Sequence, residues 1–173
     1  MDGATVHVRP VSPDDDQRLL TFFRSLSAES RALRFFSATT DVFLMGEARR
    51  EADVDYVKTF GLLVTTGLEE RGVGHALYVV PVDGDGADLG VAIAEDYQGR
   101  GLGTLLLGQL AEVAAANGIR VFEAEVFPEN HRMLEVLRES GFPLEVRAEP
   151  GQIQMTFATS LTDEARAHFE RRE

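Results

Sequence analysis

The residues whose types and spacing say most about chemistry lie between Val91 and Thr104. Val91-Ala92-Ile93-Ala94 is followed by Glu95-Asp96-Tyr97-Gln98 and then by Gly99-Arg100-Gly101-Leu102-Gly103-Thr104. A short apolar strand thus runs into a polar turn and a glycine-rich loop that opens an amphipathic helix. That order builds an anion site, because the first amides of a helix lack intrahelical partners and the helix dipole favours negative charge there. Glycines at 99, 101 and 103 let the backbone approach a diphosphate closely, and successive N–H groups in such a turn form a concave nest. A phosphate loop of the G-x-x-x-x-G-K-S/T type is excluded, since no lysine follows these glycines. A dinucleotide-binding fingerprint is met in part, with an acid, Glu123, about 20 residues on. Thr104 stands where its third glycine belongs, however, and Glu95 to Gln98 intervene where that fingerprint turns directly off its strand.

The elements that must hold this loop follow from periodicity. Beyond it, Leu102, Leu105, Leu106, Leu110, Val113 and Ala114 form one helical stripe, and Asn117-Gly118 is a helix-stop pair. Ile119 to Val126 reads as a strand, with Phe122, Ala124 and Val126 on one face and Val121, Glu123 and Glu125 on the other. Asn130 starts a helix bearing Met133, Leu134 and Leu137, which ends at Gly141-Phe142. Upstream, Thr5 to Arg9 is a strand closed by Pro10, and Ser12 or Asp14 starts a helix through Leu19, Leu20, Phe22, Phe23 and Leu26. Helical spacing restarts at Ser27 through Leu33, Phe35 and Phe36; this aromatic cluster reads as core or as the wall of a cleft. Residues 41 to 56 predict a weak helix. Phe60 to Thr66 and Val73 to Val82 form a hairpin, and Ala87 to Ala94 is the strand entering the loop. Two last strands are expected near Leu144 to Ala148 and Gln152 to Thr159. A polar helix follows over Leu161 to Glu173, capped by Thr162 with Ala165 and Phe169 on one side.

Composition bounds the reading. A chain of 173 residues suits one domain that buries roughly two-thirds of its unfolded surface. No apolar run approaches the ~18 residues of a membrane span, and no export signal opens the chain, so the cytoplasm is expected. Zero cysteines exclude disulfides and thiolate catalysis. His7, His75, His131 and His168 are scattered singly and read as surface residues, so no metal site is expected. A net charge of −12 disfavours a nucleic-acid partner and permits a lysine-rich one.

The hexad Gln98-Gly99-Arg100-Gly101-Leu102-Gly103 fits the pattern Gln/Arg-x-x-Gly-x-Gly/Ala, and Glu125-Val126-Phe127-Pro128-Glu129-Asn130 leads on to Ser140-Gly141-Phe142. On these residues the chain resembles the GNAT superfamily of N-acetyltransferases. The resemblance implies an α+β fold: a mixed, mostly antiparallel sheet of about six to seven strands, helices on both faces, and a splayed strand pair holding acyl-CoA. It implies acetyl-CoA as donor, with Val91, Ala92, Ile93 and Ala94 along the pantetheine arm and Gln98, Gly99, Arg100, Gly101, Leu102, Gly103 and Thr104 around the diphosphate. Asn130 would join the arm and Arg132 would reach a phosphate. Val8-Arg9-Pro10, Asp14-Asp15-Asp16 and the run from Phe22 through Arg34-Phe35-Phe36 are similar to bacterial protein lysine acetyltransferases (Pat). Those enzymes modify a lysine of acyl-CoA synthetases and carry a fused synthetase-like or regulatory domain. Residues 1–160 would then be the acetyltransferase domain and 161–173 a linker.

Acetylating a lysine requires removing a proton of pKa about 10.4, which costs about 4 to 5 kcal/mol at pH 7. A carboxylate raised toward neutrality by burial can accept it. Glu123 ranks first for reach and mid-strand position, Asp88 second and Glu125 third. A backbone N–H near Ile93 would polarise the thioester carbonyl. Many family members place a tyrosine four residues before the glycine of the final Gly-Phe to protonate the leaving thiolate; here Leu137 occupies that place, leaving the acid unassigned. A small-amine acetyltransferase and a non-catalytic acyl-CoA-sensing module are the competing readings.

Overall fold

The computed structural model describes residues 5–160 and 163–171. β1 (Val6–Pro10) ends at its proline, and Ser12 caps the tight turn Pro13–Asp15 reciprocally. Asp14 N–H donates to Ser12 Oγ while Ser12 N–H donates to Asp15 Oδ2 at 2.8 Å. Two arginines, Arg9 and Arg18, also donate to the buried Asp15 carboxylate. The Arg9 bonds outweigh burial and hold its pKa at about 2. This junction launches α1 (Asp16–Ser25), and Ser27 and Thr40 then cap α2 (Ala28–Phe35) and α3 (Asp41–Ala52).

Three antiparallel strands follow: β2 (Thr59–Thr66), β3 (Arg71–Val79) and β4 (Ala87–Ile93). A tight turn at Glu95–Tyr97 leads through the glycine loop into α4 (Leu102–Ala116), then β5 (Val121–Val126) and α5 (His131–Glu139). The chain finishes with β6 (Glu145–Glu149), β7 (Gln152–Ala158) and α6 (Asp163–Glu170). All strands form one sheet in the order β1-β2-β3-β4-β5-β7-β6, antiparallel throughout except where β4 meets β5. Thr162 lies outside the described residues, as do the side chains of Ala165 and Phe169. No helix among the described residues is long and apolar enough to cross a membrane.

The strand period sorts side chains onto two faces. Ala87, Leu89, Val91 and Ile93 share a face with Ala76, Tyr78, Phe122 and Phe157, whereas Asp88, Gly90 and Ala92 share the other with His75, Leu77 and Glu123. α1, α2 and α3 cover the second face over β3 and β4: Phe23 meets the His75 ring, Arg34 meets Gly90, and Glu51 meets His75. Farther along, that second face is polar, presenting Glu123, Thr156 and Glu145 in one row and Glu125, Gln154 and Arg147 in the next. α4 is buried more deeply than its predicted stripe. Leu107 and Ala111 are fully buried, while Leu102, Leu105 and Val113 are only half so. The reason is that α4 packs on the sheet and against α5 and α6, not along one narrow seam.

Candidate active site

β4 and β5 pair only at Ala87 with Phe122 and Asp88 with Glu123, after which the two strands part into a V. On its other side β4 stays paired with β3 as far as Ile93, and Ala94 N–H donates to the Val73 carbonyl at 2.8 Å. Backbone groups of successive strand residues alternate in direction, so that bond fixes the phase. The amides of Leu89, Val91 and Ile93 therefore point into the V. The Ile93 carbonyl lies on the same side and accepts Gln98 Nε2 at 2.9 Å, so the Gln98 side chain ties the loop back to the strand.

A cavity of about 650 Å³ runs along the V from the glycine loop to Gly90. At the loop end Gly99 and Gly101 adopt φ of 74° and 86°, a left-handed backbone that side chains resist. Gly101 offers α4 no side-chain cap and the first turn holds no acid, so the amides of Leu102, Gly103 and Thr104 remain for an anion. Gly103 serves packing too: a Cβ there would meet Val136 Cγ2 at 3.1 Å, so this glycine lets α4 and α5 close together. Arg132 Nη1 lies 4.0 Å from the Cβ position of Gly99. Arg100 turns back instead, Nη2 donating to the Asp96 carbonyl at 2.8 Å with its guanidinium over the Tyr97 ring. Asn130 Oδ1 caps α5 by accepting Met133 N–H at 3.2 Å, and its side chain lines the cavity. These features suit a diphosphate at the loop and an extended amide-bearing arm along β4.

At the far end, Asp88 and Glu123 stand side by side where the V closes. Burial pushes the Asp88 carboxyl up from its ordinary value. Glu123 borders a second, polar hollow with Glu145, Arg147, Gln154 and Thr156, whereas Glu125 lines the main cavity. The aromatic cluster divides: Phe22 and Phe23 are core, while Phe36 lines the cavity and meets the Phe127 ring at 5.0 Å. α2 buries none of its residues, its apolar Leu33 being turned to the cavity. Leu137 is fully buried, so nothing at that position offers an acid. Among the described residues no group of acids and histidines is arranged to hold a metal.

Four residues of the site carry no role that motif or spacing in the sequence marks: Glu95, His75, Glu51 and Arg34. Glu95 anchors the start of α2 beside the cavity, Oε1 accepting Ser27 N–H at 2.9 Å and Ser30 Oγ–H at 2.7 Å. Burial alone would raise its pKa, but these bonds prevail and hold it at about 2. His75, expected at the surface, is fully buried because β3 is a central strand with α1 and α3 packed over it. It faces Glu51, and Glu51 pairs with Arg34 at the cavity. Only the apolar residues flanking His75 could have hinted at its place.

Comparison with known proteins supplies the family. The model of the acetyltransferase (GNAT) family matches residues 28–142. An acetyltransferase of Pseudomonas aeruginosa is 31% identical over 145 residues, covering 82% of this chain and 76% of that protein. The acetyltransferase Pat of Mycolicibacterium smegmatis is 30% identical over 140 residues, 80% of this chain but only 41% of that protein. The crystal structure of the GNAT domain of S. lividans PAT superposes with a TM-score of 0.80 at 32% identity, covering 91% of this chain and 92% of that one. With a seven-stranded mixed sheet, a V between β4 and β5 and a glycine loop at the head of α4, the chain belongs to the GNAT family of acetyltransferases.

Proposed function

We propose that this chain, acting in the cytoplasm, transfers the acetyl group of acetyl-CoA to the ε-amine of a lysine on a partner protein, an acyl-CoA synthetase being the leading class. The observation that carries this reading is the single cavity in which the amide-lined V meets the glycine loop. The similarity to Pat and to the PAT domain supports a protein acceptor. The chain spans 41% of the length of Pat, and we read residues 1–160 as the transferase unit and 161–173 as a polar tail or linker.

Acetyl-CoA supplies the activated acyl group as a thioester. The amides of Leu102, Gly103 and Thr104, with Arg132, hold the diphosphate, and the Ile93 amide and Asn130 hold the arm. The Val91 N–H, next to Ile93 among the amides that face the V, polarises the carbonyl. Glu123 takes the proton of the incoming ammonium, with Asp88 beside it as second choice and Glu125 as third. With Leu137 in the tyrosine's place, water protonates the departing thiolate.

Radiolabelled acetyl-CoA decides the acceptor class, offered with a purified acyl-CoA synthetase or with a panel of small amines. The chain carries a single lysine, Lys58, so a Lys58→Arg background keeps self-labelling low. Label in a synthetase lysine is expected. Label in small amines alone overturns the protein acceptor, and tight binding without transfer identifies a sensor.

A further inference from the structure

Behind β4, on the face that carries Asp88, Gly90 and Ala92, three ionisable side chains from three elements meet below the surface. Arg34 of α2 donates from Nη2 to Glu51 Oε1 of α3 at 2.8 Å, and Glu51 Oε2 lies 3.3 Å from His75 Nδ1 on β3. The Glu51 and His75 side chains are fully buried and that of Arg34 is 12% exposed. Arg34 Nε, Glu51 Oε2 and both His75 nitrogens have no hydrogen-bond partner. Such a cluster adds little stability of its own, since desolvation offsets the attraction, so its placement calls for another explanation.

Arg34 is where the cluster reaches the cavity. Its Cζ and Nη2 stand 2.8 and 2.9 Å from the point a Cβ on residue 90 would occupy, so the guanidinium rests on bare strand backbone and any side chain there would evict it. The Phe35 ring holds it from another side, 4.9 Å from Cζ. Two residues back, at Asp88 and Glu123, the V is closed. A ligand lying in the V from the glycine loop must therefore end near Gly90, beside this guanidinium.

We infer that Arg34, pinned by Glu51, sets the length limit of the acyl group and restricts the enzyme to short chains. The inference rests on the reading that the cavity holds acyl-CoA with its diphosphate at the glycine loop. An acetyl group ends before the guanidinium. A longer chain either presses methylenes against a charge or moves Arg34 off Glu51, leaving that buried carboxylate only the exposed Arg50 guanidinium, 3.5 Å from Oε1.

Calorimetric titration of the protein with CoA, acetyl-CoA, propionyl-CoA and butyryl-CoA tests this without an acceptor. The unaltered protein is expected to prefer acetyl-CoA to butyryl-CoA by at least about tenfold, within the range a methylene-sized mismatch gives. Replacing both charges together, Arg34→Ala with Glu51→Gln, is expected to bring that ratio within about twofold while leaving the affinity for CoA itself unchanged. An unchanged ratio in the folded double variant overturns the inference, as does an unaltered protein that binds both thioesters equally. Should the double variant fail to fold, Arg34→Lys decides: its slimmer charged end must narrow the ratio to about threefold, and an unchanged ratio overturns the inference. Failure of CoA itself to bind the unaltered protein is a separate result, which removes the underlying reading of the cavity.

Discussion

At the glycine-loop end of the cavity the chain offers backbone: two left-handed glycines, the uncapped amides of α4 and a row of β4 amides turned into the V. At the Gly90 end it offers side chains drawn from distant segments: Asp88 beside Glu123, and Arg34 held by Glu51 against His75. The contrast follows from the ligands. A diphosphate is one fixed shape that a local turn can cradle, whereas reacting groups need carboxylates and cations set in three dimensions. Changes at the first end should therefore act on donor affinity, and changes at the second on rate, acyl selectivity and the pH dependence of stability.

The largest effect is expected at the loop. Gly101→Asp places a carboxylate and a β-carbon where φ is 86° and a diphosphate must lie, and affinity for CoA is expected to fall at least about 100-fold by calorimetry. Unchanged affinity would undo the assignment of the loop. At the opposite end, Glu123→Ala is expected to lower kcat about 100-fold at pH 7 while KM for acetyl-CoA stays within about twofold, the pattern of a lost base. A smaller loss than that of Asp88→Asn would move the base to Asp88, whose carboxyl burial already raises.

A third expectation concerns pH. Burial, followed by the Arg34 charge, lowers His75 to about 3, while the unfolded chain takes up that proton near its ordinary 6.5. Stability attributable to this site is thus present above pH 6.5 and drains away as pH falls toward 3, by up to about 1.4 kcal/mol per pH unit. Glu51 works in the opposite sense: its pKa is raised, chiefly by burial, so its contribution is lost as pH rises through the folded value. His75→Gln is expected to flatten the fall in Tm between pH 6.5 and 4.5. An undiminished slope would show that other groups carry it.

The smallest effect belongs to the rim. Ser27→Ala removes the Oγ that accepts Ser30 N–H at the head of α2, costing about 1 kcal/mol and lowering Tm by about 2–4 °C. Donor affinity should hardly change, and a tenfold loss would mean that α2 belongs to the donor end after all.

The same contrast explains what the amino-acid sequence made legible. The loop, the strand before it and the helix starts at Ser12, Ser27 and Asn130 are local, and periodicity with cap chemistry located them, whereas the Thr40 cap of the weakly patterned α3 carried no such signal. The role of Gly103 was only half legible, because its neighbour Val136 lies more than thirty residues away. Arg34, Glu51 and His75 sit on three different elements, and no motif spacing joins them. His75 looked like a surface residue because only packing of α1 and α3 over β3 buries it. Glu95 reads as one acid in a polar turn, since its partners Ser27 and Ser30 lie 68 and 65 residues earlier in the chain.

The account stands most directly on which backbone amides meet the donor. In two-dimensional amide NMR of the isotope-labelled protein titrated with acetyl-CoA, the largest shifts should fall on Gly99, Gly101, Leu102, Gly103 and Thr104. Leu89, Val91 and Ile93 should follow, with Gly90 at the limit. Shifts confined to other surfaces, with these amides unmoved at saturating ligand, would contradict it.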